Sequence, residues 1–127
     1  MNSIITLFGK SGRFLFCIPL IMFGISHLNP PDQMVKMVPV PGGAFWVYFT
    51  GVAMLLGAIG IITNLKGLGA LAAFLTGVLL LVYVVSIHLP QAMNAKDEMT
   101  RMAPMMAILK DMGMVGGAWA IALQLRK

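Results

Sequence analysis

Apolar positions in this chain gather into four long runs separated by three polar interruptions. The runs cover roughly Gly12 to Leu28, Gly43 to Ile62, Leu68 to Leu89 and Pro104 to Leu125. Each approaches the roughly 20 mostly apolar residues that a hydrocarbon core requires. Backbone groups in lipid must be satisfied within their own segment, so each run has to be a helix. The pattern predicts an all-α fold: an integral membrane four-helix bundle forming one transmembrane domain over residues 1–127.

The interruptions are unlike one another. Asn29 to Gly42 holds Pro30, Pro31, Pro39 and Pro41, so it cannot be helical throughout. Its "PDQMVKMV" suits one or two amphipathic turns with Met34, Val35 and Val38 toward the membrane, and the loop reads as an outer-surface lid. Thr63 to Gly67 is short, which makes runs two and three antiparallel neighbours. The third, "PQAMNAKDEMTRMA", is the most polar; Pro90 is expected to end one helix and Pro104 to start the next.

Composition agrees with lipid as the solvent: 59% of residues are hydrophobic and 10% charged, against roughly a quarter charged in soluble domains. The first run lacks a small-residue cleavage site and is read as a retained span rather than a signal peptide. The net charge of +5 does not form a nucleic-acid stripe, because the basic residues stand at span ends. Lys10, Arg13, Lys66, Arg126 and Lys127 collect at one end. Lys36, Lys96 and Arg101 collect at the other, beside Asp32, Asp97 and Glu98. The excess of positive charge puts both termini in the cytoplasm of a multi-pass protein. Cys17 is the only cysteine, so no internal disulfide exists, and it reads as a small core residue.

Small residues recur at helical spacing. Ala53, Gly57 and Gly60 in run two and Gly69, Ala73 and Gly77 in run three predict a tightly packed hairpin, since membrane helices gain contact by close backbone approach. Gly113 and Gly117 offer a similar face toward the bundle or a second copy. Trp46 fits an interfacial anchor, and the deeper Trp119 is expected to pack on a neighbouring helix.

The chemistry concentrates in one layer. His27 and His88, the only two histidines, each close an apolar run at the outer side. Lys110 and Asp111 lie about 9 to 10 Å inward of Pro104 at 1.5 Å per residue. Tyr48 and Tyr83 stand at comparable depth. Ionisable groups within a span face the interior and pair or line a pathway, and Asp111 in particular cannot snorkel to the surface. The layer reads first as a structural polar plug. It reads second as a site for a quinone or small acid, with a histidine exchanging protons and Asp111 setting its tautomer. A bis-imidazole haem ranks below both. Copper on the methionines of the outer side also ranks low, since the twelve methionines form no regular ladder. No other metal site is indicated.

The endings "FGISHL" and "SIHLP", the second-run "GVAMLLGAIGIIT" with its short basic turn, and "LKDMGMVGGAWAIAL" span nearly the whole chain. In that order and spacing the chain resembles the DoxX family of small four-helix membrane proteins. The resemblance implies a bacterial inner-membrane bundle associated with redox chemistry, because relatives include subunits of a thiosulfate:quinone oxidoreductase and a partner in a membrane-bound oxidoreductase complex. Family members often carry an acidic residue where this chain has Met54, so an activity does not transfer directly. The chain holds no self-sufficient catalytic motif. The leading expectation is an accessory or structural subunit of a membrane complex, with the lipid bilayer and a protein partner or second copy as neighbours. The alternative is a redox-linked protein binding a quinone or similar molecule at His27, His88, Lys110, Asp111, Tyr48 and Tyr83.

Overall fold

A computed structural model describes residues 1–126. Among these residues the secondary structure is helical, with no strand. Helix α1 (Asn2–Leu28) leads through the single-turn α2 (Asp32–Lys36) to α3 (Gly43–Thr63). A 3₁₀ turn at Leu65–Gly67 joins α3 to α4 (Gly69–Met93), and α5 (Glu98–Leu125) closes the chain. Helices α1, α3, α4 and α5 are each long and apolar enough to cross a membrane.

Chain order is also packing order: α1 lies mainly on α3, α3 on α4, and α4 on α5, while α1 and α5 touch sparingly. One of those touches is near the ends of the chain, where the Gln124 side-chain amide donates to Gly9 O at 3.3 Å. The buried core runs along the bundle axis through Cys17, Leu20, Met54, Ala58, Ile61, Ala73, Leu80 and Val115. Outward positions such as Leu56, Leu71 and Leu123 are large, apolar and exposed, as a lipid-facing surface requires.

Glycines decide where backbones meet. A Cβ on Gly57 would lie 2.5 Å from Thr76 Oγ1 and one on Gly60 2.7 Å from Ala72 Cβ, so the α3–α4 hairpin closes on small residues. On Gly77 it would collide with the Trp119 indole, which stacks on Phe74 and donates to Phe74 O at 3.3 Å. Gly117 makes only ordinary contact with Phe16, and Gly113 has open space around it. The α1–α3 crossing rests on Gly24 and Gly51, a pair outside the small-residue runs singled out in the sequence. A Cβ on Gly51 would fall 2.6 Å from His27 Cβ and 3.1 Å from Gly24 O.

Three boundaries differ from the sequence pattern, the first being α1, which begins at Asn2, well before Gly12. Pro90 does not end its helix; α4 widens into a π-helical turn over Val84–His88 and then continues to Met93. A proline ring crowds the carbonyl four residues back, here Ser86, and a wider turn at that point relieves the crowding. Pro104 lies inside α5 rather than at its start. The helix begins earlier because Asp97 is a strong cap: Oδ1 accepts the Thr100 amide at 2.8 Å and the Thr100 hydroxyl at 2.6 Å. The connector between α4 and α5 therefore shortens to Asn94–Asp97.

The 3₁₀ turn needs left-handed backbone at Asn64 (φ 45°), Lys66 (φ 53°) and Gly67 (φ 77°). Asn64 is suited to it, and its Oδ1 accepts the Gly69 amide at 2.9 Å, capping α4.

Candidate functional site

Asp111 is the one buried acidic or basic residue among the described residues, with its side chain 3% exposed. Its carboxylate is bracketed. Lys110 Nζ approaches Oδ1 at 3.2 Å, and His88 Nε2 approaches Oδ2 at 3.2 Å. Lys110 is the residue that precedes Asp111 on α5. The ammonium also lies 4.0 Å above the Phe23 ring, tying α5 to α1 through a cation–π contact. A carboxylate accepts only, so His88 Nε2 carries a proton and donates it to Asp111 Oδ2.

His88 owes this position to the π-helical turn that it closes. An inserted residue in a helix rotates everything after it by about 100° relative to regular α-helix. In the π form His88 points at α5.

His27 belongs to a second pair. Its Nδ1 donates to Phe23 O one turn back at 2.7 Å, leaving Nε2 free, and its ring stacks on Tyr83 at 6.1 Å between centroids and 9° between planes. The Tyr83 hydroxyl is buried and has no hydrogen-bond partner. Thr50 is beside it without meeting hydrogen-bond geometry, its own hydroxyl donating to Trp46 O at 2.8 Å and Val47 O at 3.1 Å. Leaving a buried hydroxyl unsatisfied costs about 1–3 kcal/mol, so the orphan oxygen marks a place where something polar is wanted.

Both pairs line one cavity of about 580 Å³. That volume lies in the range of small-molecule sites, typically 300–1,000 Å³. Its walls are mostly apolar: Val47, Phe49 and Met54 from α3, Leu79, Leu80 and Val82 from α4. The proline-rich loop covers it with Met34, Met37, Val38, Pro39 and Val40. That loop is anchored by the Trp46 indole donating to Pro41 O at 3.1 Å and by Val35 O packed against Gly43. His27, Tyr83, His88, Lys110 and Asp111 supply polar groups, together with Gln33, Thr50 and Ser86.

Five of the six candidate residues thus come together, and Tyr48 does not. It lies on a lipid-facing side of α3, 47% exposed and outside the cavity lining. The sequence pattern did not single out Phe23, Thr50 or the cavity-wall role of Met54. Phe23 was nonetheless within reach of a helical argument, since it stands four residues before His27 on the same face. Met54 is 2% exposed and forms an apolar part of the cavity wall. Among the described residues no three His, Cys, Asp or Glu side chains converge.

The arrangement can hold an elongated apolar molecule whose polar head takes hydrogen bonds at Tyr83, His27 and Lys110. The Lys110 ammonium is already paired with the Asp111 carboxylate, so an uncharged hydrogen-bonding head fits better than an anion. Comparisons with protein-family models, curated proteins and solved structures return no match.

Proposed function

We propose that this chain is a DoxX-like protein of the bacterial inner membrane that binds a quinone, or a similar lipid-soluble molecule with a hydrogen-bonding head, in the cavity beneath the proline-rich loop. The observation that carries the reading is the orphan Tyr83 hydroxyl, buried in an apolar cavity beside the His88–Asp111–Lys110 group. A quinone carbonyl is an acceptor without charge. It would satisfy the Tyr83 hydroxyl, while the ring and tail replace apolar contacts along α3 and α4. Proton exchange with a reduced head group is chemistry that histidine near neutral pH performs.

Trp46 lines the cavity and reports on its contents. Titrating the full chain in detergent with a short-chain benzoquinone should quench Trp46 fluorescence to saturation. Tyr83→Phe should weaken that affinity about tenfold, corresponding to one lost hydrogen bond of about 1.4 kcal/mol. Quenching that never saturates, or that is the same in both proteins, would count against a built site.

A second reading, an accessory subunit of a larger membrane assembly, is favoured by the open space at Gly113 and Gly116 on α5. Small residues without neighbours allow another helix to approach closely. Intact-complex mass spectrometry after gentle extraction should then find a partner or a second copy, lost when Gly113→Leu and Gly116→Leu are combined.

A further inference from the structure

His88 lines two cavities rather than one. Besides the inner cavity it borders a more open vestibule of about 600 Å³ at the loop end, lined in part by Gln91, Asn94, Lys96, Asp97 and Thr100. Those five are surface groups of the α4–α5 connector and its flanks, four of them exposed. Asp111 and the Tyr83 hydroxyl are buried and border only the inner cavity. The His88 side chain, 21% exposed, touches both compartments, and its Nε2 lies 3.2 Å from Asp111 Oδ2.

We propose that His88 relays protons between vestibule water and Asp111, so that a ligand in the cavity exchanges its protons with the loop side of the membrane. The step rests on the reading that the cavity takes a proton-exchanging ligand. Nε2 is committed to Asp111, which leaves Nδ1 as the nitrogen that trades protons with the vestibule. One proton binds at Nδ1 from water and the Nε2 proton passes to Asp111 Oδ2. The carboxylate becomes a carboxylic acid, the imidazole ends in its other tautomer, and charge is conserved. Asp111 then hands its proton to a basic, phenolate-type oxygen of the reduced ligand head and becomes a carboxylate again, and the ring resets by turning about Cβ–Cγ, losing the Nδ1 proton to vestibule water and taking one at Nε2 from it. Release runs the same steps backward.

The ionisable groups that share the two cavities with His88 are Asp111 and Lys110 from α5, His27 from α1, Tyr83 from α4, and Lys96 and Asp97 from the connector. Helix α3 contributes none. Lys110 is the other contact of Asp111, but it borders the inner cavity alone and does not reach the vestibule. His27 has its Nδ1 on a backbone carbonyl and does not border the vestibule.

The test is time-resolved infrared spectroscopy of the full chain in phosphatidylcholine vesicles after a pH jump. It follows the carboxyl band that disappears in Asp111→Asn. In the unmodified protein this band should follow the pH on the loop side and ignore the pH on the side of the termini. In His88→Gln, which keeps an amide donor near Asp111, its rate should fall by at least about tenfold. A band that follows the other side, a smaller fall in rate, or no band that responds to pH overturns the relay. Sidedness is read without any variant, so a misfolded His88→Gln leaves the proposal decidable. A protein that binds benzoquinone without relaying overturns this inference alone; one that relays without binding overturns only the ligand reading.

Discussion

Tyr83 and Asp97 show how single polar groups carry opposite kinds of consequence. The Tyr83 hydroxyl is buried without a partner, so Tyr83→Phe removes a desolvation cost instead of a bond. That variant should unfold at an equal or slightly higher temperature, by up to about 1 kcal/mol of added stability, while losing ligand affinity. Scanning calorimetry of the ligand-free protein checks it, and a clear loss of stability would mean that the hydroxyl is already satisfied. Asp97 is the reverse case. Hydrogen bonds from the Thr100 hydroxyl and amide hold its carboxyl below the usual 3.8. A lowered carboxylate pKa means that the cap contributes in full above the ordinary range and is lost as acid carries the pH down through the folded value. The Thr100 amide resonance should therefore stay constant from neutral pH to about 4 and move only below that. Asp97→Asn, which retains an acceptor, should abolish the movement.

At the scale of elements, close approach is set by glycines and by one irregular turn. Gly51 faces the backbone of α1 at the level of His27, where an added methyl has rigid neighbours on both sides. Gly51→Ala should force α1 from α3 and cost about 1–3 kcal/mol, the usual range for overpacking. It should also disturb the His27–Tyr83 stack. Gly113→Ala, with open space around it, should be near neutral, so the pair of variants measured by thermal unfolding separates packing from helix propensity. The Ala53, Gly57 and Gly60 run in the sequence pointed to the hairpin because both of its helices carry small residues in a row. Gly24 and Gly51 escaped it because each is isolated in its own helix, and a crossing point pairs residues that no periodicity links. The π-helical turn escaped for a similar reason. Pro90 signals a disturbance to the helix, but whether the chain stops or widens depends on what α5 offers to the segment beyond.

For the whole molecule, both termini and the Leu65–Gly67 turn lie at one end, and the lid and vestibule at the other. The charge excess at the first end favours the cytoplasm. In a Cys17→Ala background, a membrane-impermeant thiol reagent added to intact cells should label Gln33→Cys and spare Lys66→Cys. The opposite pattern would invert the direction proposed for the proton relay.

Four helices, their approximate spans and the shared depth of His27, His88 and Asp111 were legible in the chain itself, because hydropathy and the 1.5 Å rise act along one dimension. Which polar groups touch was not. Depth is a property of each helix alone, whereas the angle at which a side chain leaves its helix axis matters only relative to a neighbour. Packing therefore put His88 on Asp111 and His27 on Tyr83, turned Tyr48 toward lipid, and left a cavity under the lid.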